Sequence, residues 1–225
     1  MTMTERSTHN GFMDSLFTGK RYVCKVWCTA LLCILPLSVS ATALDVFLTN
    51  IEQRTLQSDF TITVTEEAAQ PMNYPGTIVM QGNRFLLSMF ETETAYDGKT
   101  LYIYNAANDE LTLTTPSEDE LTEANPFLYA KALAGTCTVT ERPAKEPAQT
   151  IIVLTPKDQS AGIQKFTLRL KRAGDGVDRT VYLPVSIEMK AGKQVTTLTL
   201  KQPRYTEERP AFRLDYPEAY LNDLR

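Results

Sequence analysis

The densest group of chemically reactive side chains in this sequence is an acidic run that contains Glu118, Asp119, Glu120 and Glu123. Carboxylates this close together could hold a hard metal ion, or could act as an acid and base pair. Consecutive carboxylates between two structured segments are far more often a solvated loop. We therefore predict an exposed acidic connection at this position, and no metal site.

The first 43 residues have the features of a secretory leader. Basic residues precede an apolar run at positions 26–39, and Ala41 and Ala43 follow in a small-residue pattern that suits signal peptidase. The apolar run is too short to span a membrane. No small residue directly precedes a cysteine of this segment, so it carries no lipidation signal. The sequence predicts that residues 1–43, with Met13 as a second candidate start, are removed after Ala43, and that residues 44–225 are exported.

Without the leader, the chain has no histidine, no tryptophan and a single cysteine, Cys137. This inventory excludes Ser/His/Asp and Cys/His catalytic sets and zinc bound by histidine. Cys137 has no histidine to lower its pKa, so we predict a buried small apolar residue. The segment 174–176, Gly-Asp-Gly, lacks the spacing of a phosphate-binding loop and is predicted to be a turn. The protein is predicted to be no enzyme and to need no cofactor.

The charge balance excludes other classes of partner. The whole chain has 23 basic and 27 acidic residues. The leader accounts for four of the basic and two of the acidic ones, which leaves 19 against 25, a net charge of −6. A nucleic acid or an anionic membrane surface needs a concentrated positive patch, so neither is predicted as a target. Residues 44–225 are enough for one domain with a substantial core.

Short strands account for most of the exported part. The spacing of apolar residues predicts an amphipathic helix over 44–56, followed by ten or eleven strands separated by turn signals, the last one over 212–216. A second helix is predicted from Pro126 to Ala134, because proline favours the first helical position and Gly135 follows the last apolar residue. This pattern is typical of an antiparallel barrel or a strongly curved sheet.

The strand over 101–105 is apolar on both faces. It follows the turn signal Asp97-Gly98, with Leu101 and Ile103 on one face and Tyr102 on the other. A half-buried strand would alternate apolar residues with charges, so each face needs an apolar cover.

Two interpretations of the aliphatic strand faces remain open from periodicity alone. The apolar residues either fill a core or, beneath an apolar helix, enclose an empty cavity. The residues concerned are Leu101, Ile103, Leu111, Leu113, Phe166, Leu168, Leu198 and Leu200.

Several motifs together resemble one family. In order along the chain they are Asp97-Gly98-Lys99-Thr100-Leu101-Tyr102-Ile103-Tyr104-Asn105, Asn125-Pro126-Phe127, Leu154-Thr155-Pro156-Lys157, Lys165-Phe166-Thr167 and Phe212-Arg213-Leu214-Asp215-Tyr216-Pro217. Their order and spacing are similar to those of the LolA family of periplasmic outer-membrane lipoprotein carriers. The resemblance covers essentially all of the chain after the leader, and the Asp97–Leu101 segment is its most specific part.

The resemblance implies a mainly β fold with short helices, in which an unclosed antiparallel β-barrel is capped by a helical lid. It also implies that the concave face binds acyl chains. The cavity residues expected on this basis are Phe60, Ile62, Ile78, Met80, Leu101, Ile103, Leu111, Leu113, Phe166, Leu168, Leu198 and Leu200. The expected lid residues are Phe47, Ile51, Pro126, Phe127, Leu128 and Leu133. The family's lid latch is an arginine followed by proline, whereas this sequence has Gln81-Gly82-Asn83-Arg84, which makes Arg84 the candidate latch.

The resemblance further implies a location and partners. The protein would be a periplasmic monomer that carries acylated lipoproteins from an inner-membrane lipoprotein-releasing ABC transporter complex to an outer-membrane acceptor. A second hypothesis is a LolA-like module that senses a lipid or lipoprotein without shuttling it. A co-purified lipoprotein favours the carrier, whereas a stable complex with a regulatory partner favours the sensor.

Overall fold

The computed structural model describes residues 41–67, 69–158, 162–174 and 180–225, apart from the side chain of Glu123. Nearly all of the predicted leader, and the predicted turn at 174–176 beyond Gly174, lie outside these residues. No helix in the described part of the chain combines the length and apolar character needed to cross a membrane.

The described residues form three helices and twelve strands. The helices are α1 (Ala43–Gln53), α2 (Glu118–Ala124) and α3 (Pro126–Thr136). The strands are β1 (Thr55–Glu66), β2 (Met72–Gln81), β3 (Arg84–Met89), β4 (Thr92–Tyr96), β5 (Leu101–Asn105), β6 (Glu110–Thr114), β7 (Cys137–Pro143), β8 (Gln149–Pro156), β9 (Lys165–Gly174), β10 (Thr180–Ala191), β11 (Gln194–Thr206) and β12 (Tyr220–Asp223).

All twelve strands belong to one sheet with the order β12-β6-β5-β4-β3-β2-β1-β11-β10-β9-β8-β7. Every neighbouring pair is antiparallel except β12 and β6, which run parallel. The two edge strands, β12 and β7, do not pair with each other, so the barrel is unclosed. The predicted architecture, an unclosed antiparallel sheet with a few short helices, is confirmed.

Helix α1 is anchored at both ends by hydrogen bonds. At its start, Thr42 and Asp45 form a capping box, in which the Thr42 hydroxyl accepts from the Asp45 N–H at 3.1 Å. The Glu141 carboxylate of β7 accepts from the first N–H groups of the helix, at 3.0 Å for Leu44. At its end, the Ile51 carbonyl accepts from the Gly82 N–H at 2.7 Å. The predicted helix over 44–56 was therefore too long, because residues from Thr55 onward pair in β1.

The acidic run is a helix rather than the predicted loop. Ser117 caps α2 through a capping box with Glu120, whose carboxylate accepts from the Ser117 N–H at 2.7 Å and from its hydroxyl at 2.9 Å. These two hydrogen bonds lower the pKa of Glu120. Leu121 is buried on the opposite side of the same helix. The described residues contain no cluster of acidic, cysteine or histidine side chains that could hold a metal ion.

Helix α3 starts at Pro126 as predicted, with Asn125 as its cap, but it continues through Gly135 to Thr136. Gly135 is not among the glycines with a positive φ, so it does not form the left-handed cap that ends many helices. Here the chain passes directly from α3 into β7, and Cys137 begins that strand as a buried residue.

The second face of β5 is covered by the segment after β11. The Tyr216 ring stacks on Tyr104 with 3.6 Å between ring centroids, and its hydroxyl donates to Glu93 at 2.8 Å. Burial and this hydrogen bond raise the pKa of Tyr216 to about 12. Phe212 is fully buried, with φ at +49°. Residues 212–216 are not the predicted strand, because that conformation and the nearby prolines prevent regular pairing, and the chain rejoins the sheet only at β12.

The Asp97–Leu101 segment has a structural role at the β4–β5 turn. One carboxylate oxygen of Asp97 accepts from the N–H groups of Lys99 and Thr100, both at 2.8 Å, and the other accepts from the Tyr102 hydroxyl at 3.1 Å. Gly98 has φ at +104°, a conformation that favours glycine. Asp97 and Gly98 of this motif therefore fix a turn, whereas Leu101 at its end is buried in the core.

Candidate functional site

Cross-strand rows of apolar side chains cover the concave face of the sheet. Residues directly opposite one another on paired strands share a face, so the register defines each row. One row runs Tyr74, Ile62, Leu198, Ile187, Leu168 and Ile152. The next runs Met72, Val64, Thr196, Met189, Phe166, Leu154 and Val139. Tyr74 and Thr196 carry the only hydroxyl groups in these two rows, and the other side chains are hydrocarbon or thioether.

A cavity of about 510 Å³ lies between this face and helices α2 and α3. Its lining consists of Phe60, Ile62, Ile78, Leu87, Met89, Ala124, Pro126, Tyr129, Ile163, Phe166, Ile187, Met189, Thr196 and Leu198. The volume falls within the range of about 300–1,000 Å³ that is usual for small-molecule sites. Among the described residues, the lining has no charged side chain, and Tyr129 and Thr196 carry its only side-chain hydroxyl groups. Such a lining can bind an apolar chain, and its described part offers no acid, base or nucleophile other than these hydroxyls.

Five of the twelve predicted cavity residues line this cavity, namely Phe60, Ile62, Ile78, Phe166 and Leu198. Four others, Met80, Leu101, Leu168 and Leu200, are buried in the core cluster. Ile103 is half-buried and packs against the same cluster. The two interpretations that periodicity left open therefore both apply, because one part of the concave face is filled and another encloses space.

Leu111 and Leu113 lie on the opposite face of the sheet, which corrects their predicted place in the cavity. The register puts Leu111 opposite Tyr104 and Leu113 opposite Tyr102, on the face that the Tyr216 segment covers. The concave positions of β6 are instead occupied by threonines, with Thr112 opposite Ile103. A shift of one residue in register exchanges the two faces of a strand. Both faces of the neighbouring strand β5 are apolar, so periodicity could not show which face of the sheet Leu111 and Leu113 join.

The predicted lid residues fall into two groups. Phe47 and Ile51 of α1 are fully buried core residues, with exposures of 0% and 2%. In α3, Pro126 lines the cavity, Phe127 is fully buried, and Leu128 and Leu133 are half-buried against the core. The Phe127 ring lies 6.0 Å from Phe47, so the two helices meet through apolar contact.

Arg84 is linked to a helix only indirectly among the described residues, because its partner Gln81 donates to the Gln53 carbonyl at the end of α1 at 3.2 Å, and its role as a latch stays a prediction. Its guanidinium donates to the Gln81 side chain at 3.0 Å and lies over the Phe212 ring at 5.1 Å. Phe85 is buried in the concave core, so the preceding residue points to the opposite face.

Eight lining residues were predicted neither for the cavity nor for the lid. Leu87, Met89, Ile187 and Met189 alternate along strands that the sequence predicts, so the same periodic signal could have found them. Thr196 is polar, and Ala124, Tyr129 and Ile163 come from helices and a loop, where no strand period applies.

Gly76 leaves room for the Phe60 ring of β1, which lines the cavity. The Phe60 ring lies directly over Gly76, and a Cβ at that position would also come within 2.6 Å of the Ser88 carbonyl oxygen. Glycine in a strand commonly marks such a close approach. A larger residue here would collide with the Phe60 ring, which lines the cavity.

No family model and no curated protein matches this sequence. Solved structures do match it. An uncharacterized conserved protein from Thermus thermophilus matches with 11% identity over 78% of this chain and 96% of that one, at a TM-score of 0.49. A LolA superfamily protein from Nitrosomonas europaea matches with 14% identity over 79% and 100%, at a TM-score of 0.43.

A third match is a putative outer membrane lipoprotein-sorting protein domain from Vibrio parahaemolyticus, with 9% identity over 72% of this chain and 91% of that one, at a TM-score of 0.40. At these identities the likeness is one of fold.

Proposed function

We propose that this protein is a periplasmic carrier that binds the acyl chains of lipoproteins and shields them from water between the inner and outer membranes. The observation that carries the proposal is the 510 Å³ cavity with its uncharged, almost wholly apolar lining. Exposing an acyl chain of roughly 15 carbons to water costs on the order of 10 kcal/mol, at about 0.8 kcal/mol per CH₂. A cavity that buries most of the chain removes most of that cost.

The proposal assigns different tasks to the two helical regions. Helix α1 closes one part of the concave face permanently, while α2 and α3 cover the cavity and move when a chain enters or leaves. The protein would receive its cargo from an inner-membrane lipoprotein-releasing ABC transporter complex and deliver it to an outer-membrane acceptor, acting as a monomer and without enzymatic activity.

Export requires removal of a leader, and the cap of α1 refines where that cut falls. Cleavage after Ala43 would remove Thr42 and its capping box with Asp45. Cleavage after Ala41, the other alanine of the small-residue pattern, keeps the box intact. We therefore propose that the exported protein begins at Thr42 rather than at Leu44. Intact-mass measurement of periplasmic protein distinguishes this from a chain that begins at Leu44.

Native mass spectrometry of the exported protein tests the proposed function. We expect a co-purified lipoprotein or fatty acid on the wild type, and its loss from Ala124→Phe, because Ala124 lines the cavity and a phenyl ring there fills it. A matched control is Ala106→Phe, in the exposed β5–β6 turn, which should keep the bound lipid. A ligand-free wild type in a stable complex with a regulatory protein would favour the sensing module instead.

A further inference from the structure

Three apolar side chains form an exposed rim beside the cavity, which we define as Met72, Tyr74 and Phe90. Met72 is 48% exposed and Phe90 is 66% exposed. The Phe90 and Tyr74 rings meet edge to face at 5.1 Å, and the Tyr74 hydroxyl donates to the Met72 sulfur at 3.1 Å. The rim is therefore a connected surface rather than three isolated side chains.

The rim continues the concave face directly from the cavity lining. Tyr74 lies opposite Ile62, which lines the cavity. Phe90 lies just past the end of β3 and joins this side through its ring contact with Tyr74. Met72 begins the row that leads through Val64 to the lining residue Thr196. An apolar chain that leaves the cavity on this side therefore meets apolar surface first.

Phe90 occupies a position where the backbone alone would favour glycine. Its φ is +57°, in the left-handed region that a bulky side chain adopts only at a cost in free energy. Glycine adopts the same conformation without that cost. Phe90 is nevertheless mostly exposed, so its burial in the fold offsets little of the strain.

Resting on the proposed function, we propose that the rim extends the acyl-binding surface and makes the protein selective for long alkyl chains. The ligand class is an unbranched chain longer than the cavity, with one part inside and its remaining methylenes across Met72, Tyr74 and Phe90. A thioether and two aromatic rings form a polarizable surface that adapts to a flexible chain. A short chain fits within the cavity and does not reach the rim.

Fluorescence displacement with decanoate and stearate tests this selectivity in the purified protein. We expect Phe90→Gly to bind decanoate like the wild type and stearate about tenfold more weakly, because each methylene that loses its apolar contact lowers affinity. The melting temperature of Phe90→Gly should be unchanged or higher, since glycine relieves the strain. Tyr220→Ser is the control, because Tyr220 is 72% exposed on the edge strand β12 and should leave both affinities unchanged.

Three outcomes would contradict the proposed role of the rim in binding long chains. Equal weakening of both fatty acids, no weakening of stearate, or a lower melting temperature of Phe90→Gly would each assign the ring another role. Failure of the wild type to bind either fatty acid is a different result, because it contradicts the proposed function itself.

Discussion

The concave face of the sheet is covered by two helical regions that are held in different ways. Helix α1 is fixed by directional hydrogen bonds at both ends and along its length, since the Asn50 side chain also accepts from the Tyr182 N–H at 3.0 Å. Helices α2 and α3 have caps formed by their own residues, Ser117 and Asn125. They pack largely through apolar side chains, as in the 6.1 Å contact of the Tyr129 and Phe166 rings, and an exposed ion pair joins Lys131 of α3 to Glu52 of α1.

This difference accounts for the position of the cavity beneath α2 and α3. A helix that is fixed by hydrogen bonds can be packed closely, and the core beside α1 is filled. Apolar contacts are not directional, so a cover held by them can move while keeping much of its contact area. The cavity lies beneath α2 and α3, and no described residue of α1 lines it, so we propose that α1 is an anchor and that α2 and α3 give access.

The largest effect expected from this comparison concerns two phenylalanines that are both fully buried, Phe47 in α1 and Phe127 in α3. Phe47→Ala should lower the free energy of unfolding by about 3–5 kcal/mol, the usual loss for a buried ring. Phe127→Ala should lower it less, because the loss is limited by the free energy at which α2 and α3 open locally. Urea unfolding of both variants measures the difference, and equal losses would contradict it.

A smaller effect should separate two buried asparagines. Asn50→Ala leaves the Tyr182 N–H without its partner and should cost about 1–3 kcal/mol. Asn125→Ser keeps an oxygen that can accept from the Phe127 N–H, and it removes a buried amide N–H₂ that has no partner among the described residues. Because serine caps helices about as well as asparagine, we expect a change within about 0.5 kcal/mol. Thermal unfolding compares the two variants, and a larger loss for Asn125→Ser would reverse the ranking.

The smallest effect is expected for the ion pair between Lys131 of α3 and Glu52 of α1. Both side chains are about half exposed, at 54% and 51%. Exposed pairs contribute about 0.2–1 kcal/mol, so a double-mutant cycle with Lys131→Ala and Glu52→Ala should give a coupling at or below this range. A coupling well above it would mean that α3 is fixed to α1 by charge rather than held by apolar contact.

The fold was largely predictable because its signals are local. Strand alternation and turn residues predicted the sheet, and Pro126 predicted the start of α3. The helix α2 was also readable in principle, since Ser117 and Glu120 have the capping-box spacing. Acidic composition obscured that signal, because it is equally typical of a solvated loop.

The cavity was less predictable because it depends on which face is covered and by what. Leu111 and Leu101 look alike in sequence, yet register places them on opposite faces. Met80 and Ile78 share a strand face, yet Met80 is fully buried in the core whereas Ile78 lines the cavity. A cavity forms between several packed elements, so the sequence pattern of a single strand cannot predict it.

Hydrogen exchange on the ligand-free and stearate-loaded protein measures whether α2 and α3 open over the cavity. Opening of a cover held by apolar contact should need less free energy than global unfolding. We therefore expect residues 118–136 to exchange faster than α1 and β5 without ligand, and to become slower when the cavity is occupied. Exchange in this segment that is as slow as in α1 in both states would contradict the account, because α2 and α3 would then be fixed core rather than a cover over a binding cavity.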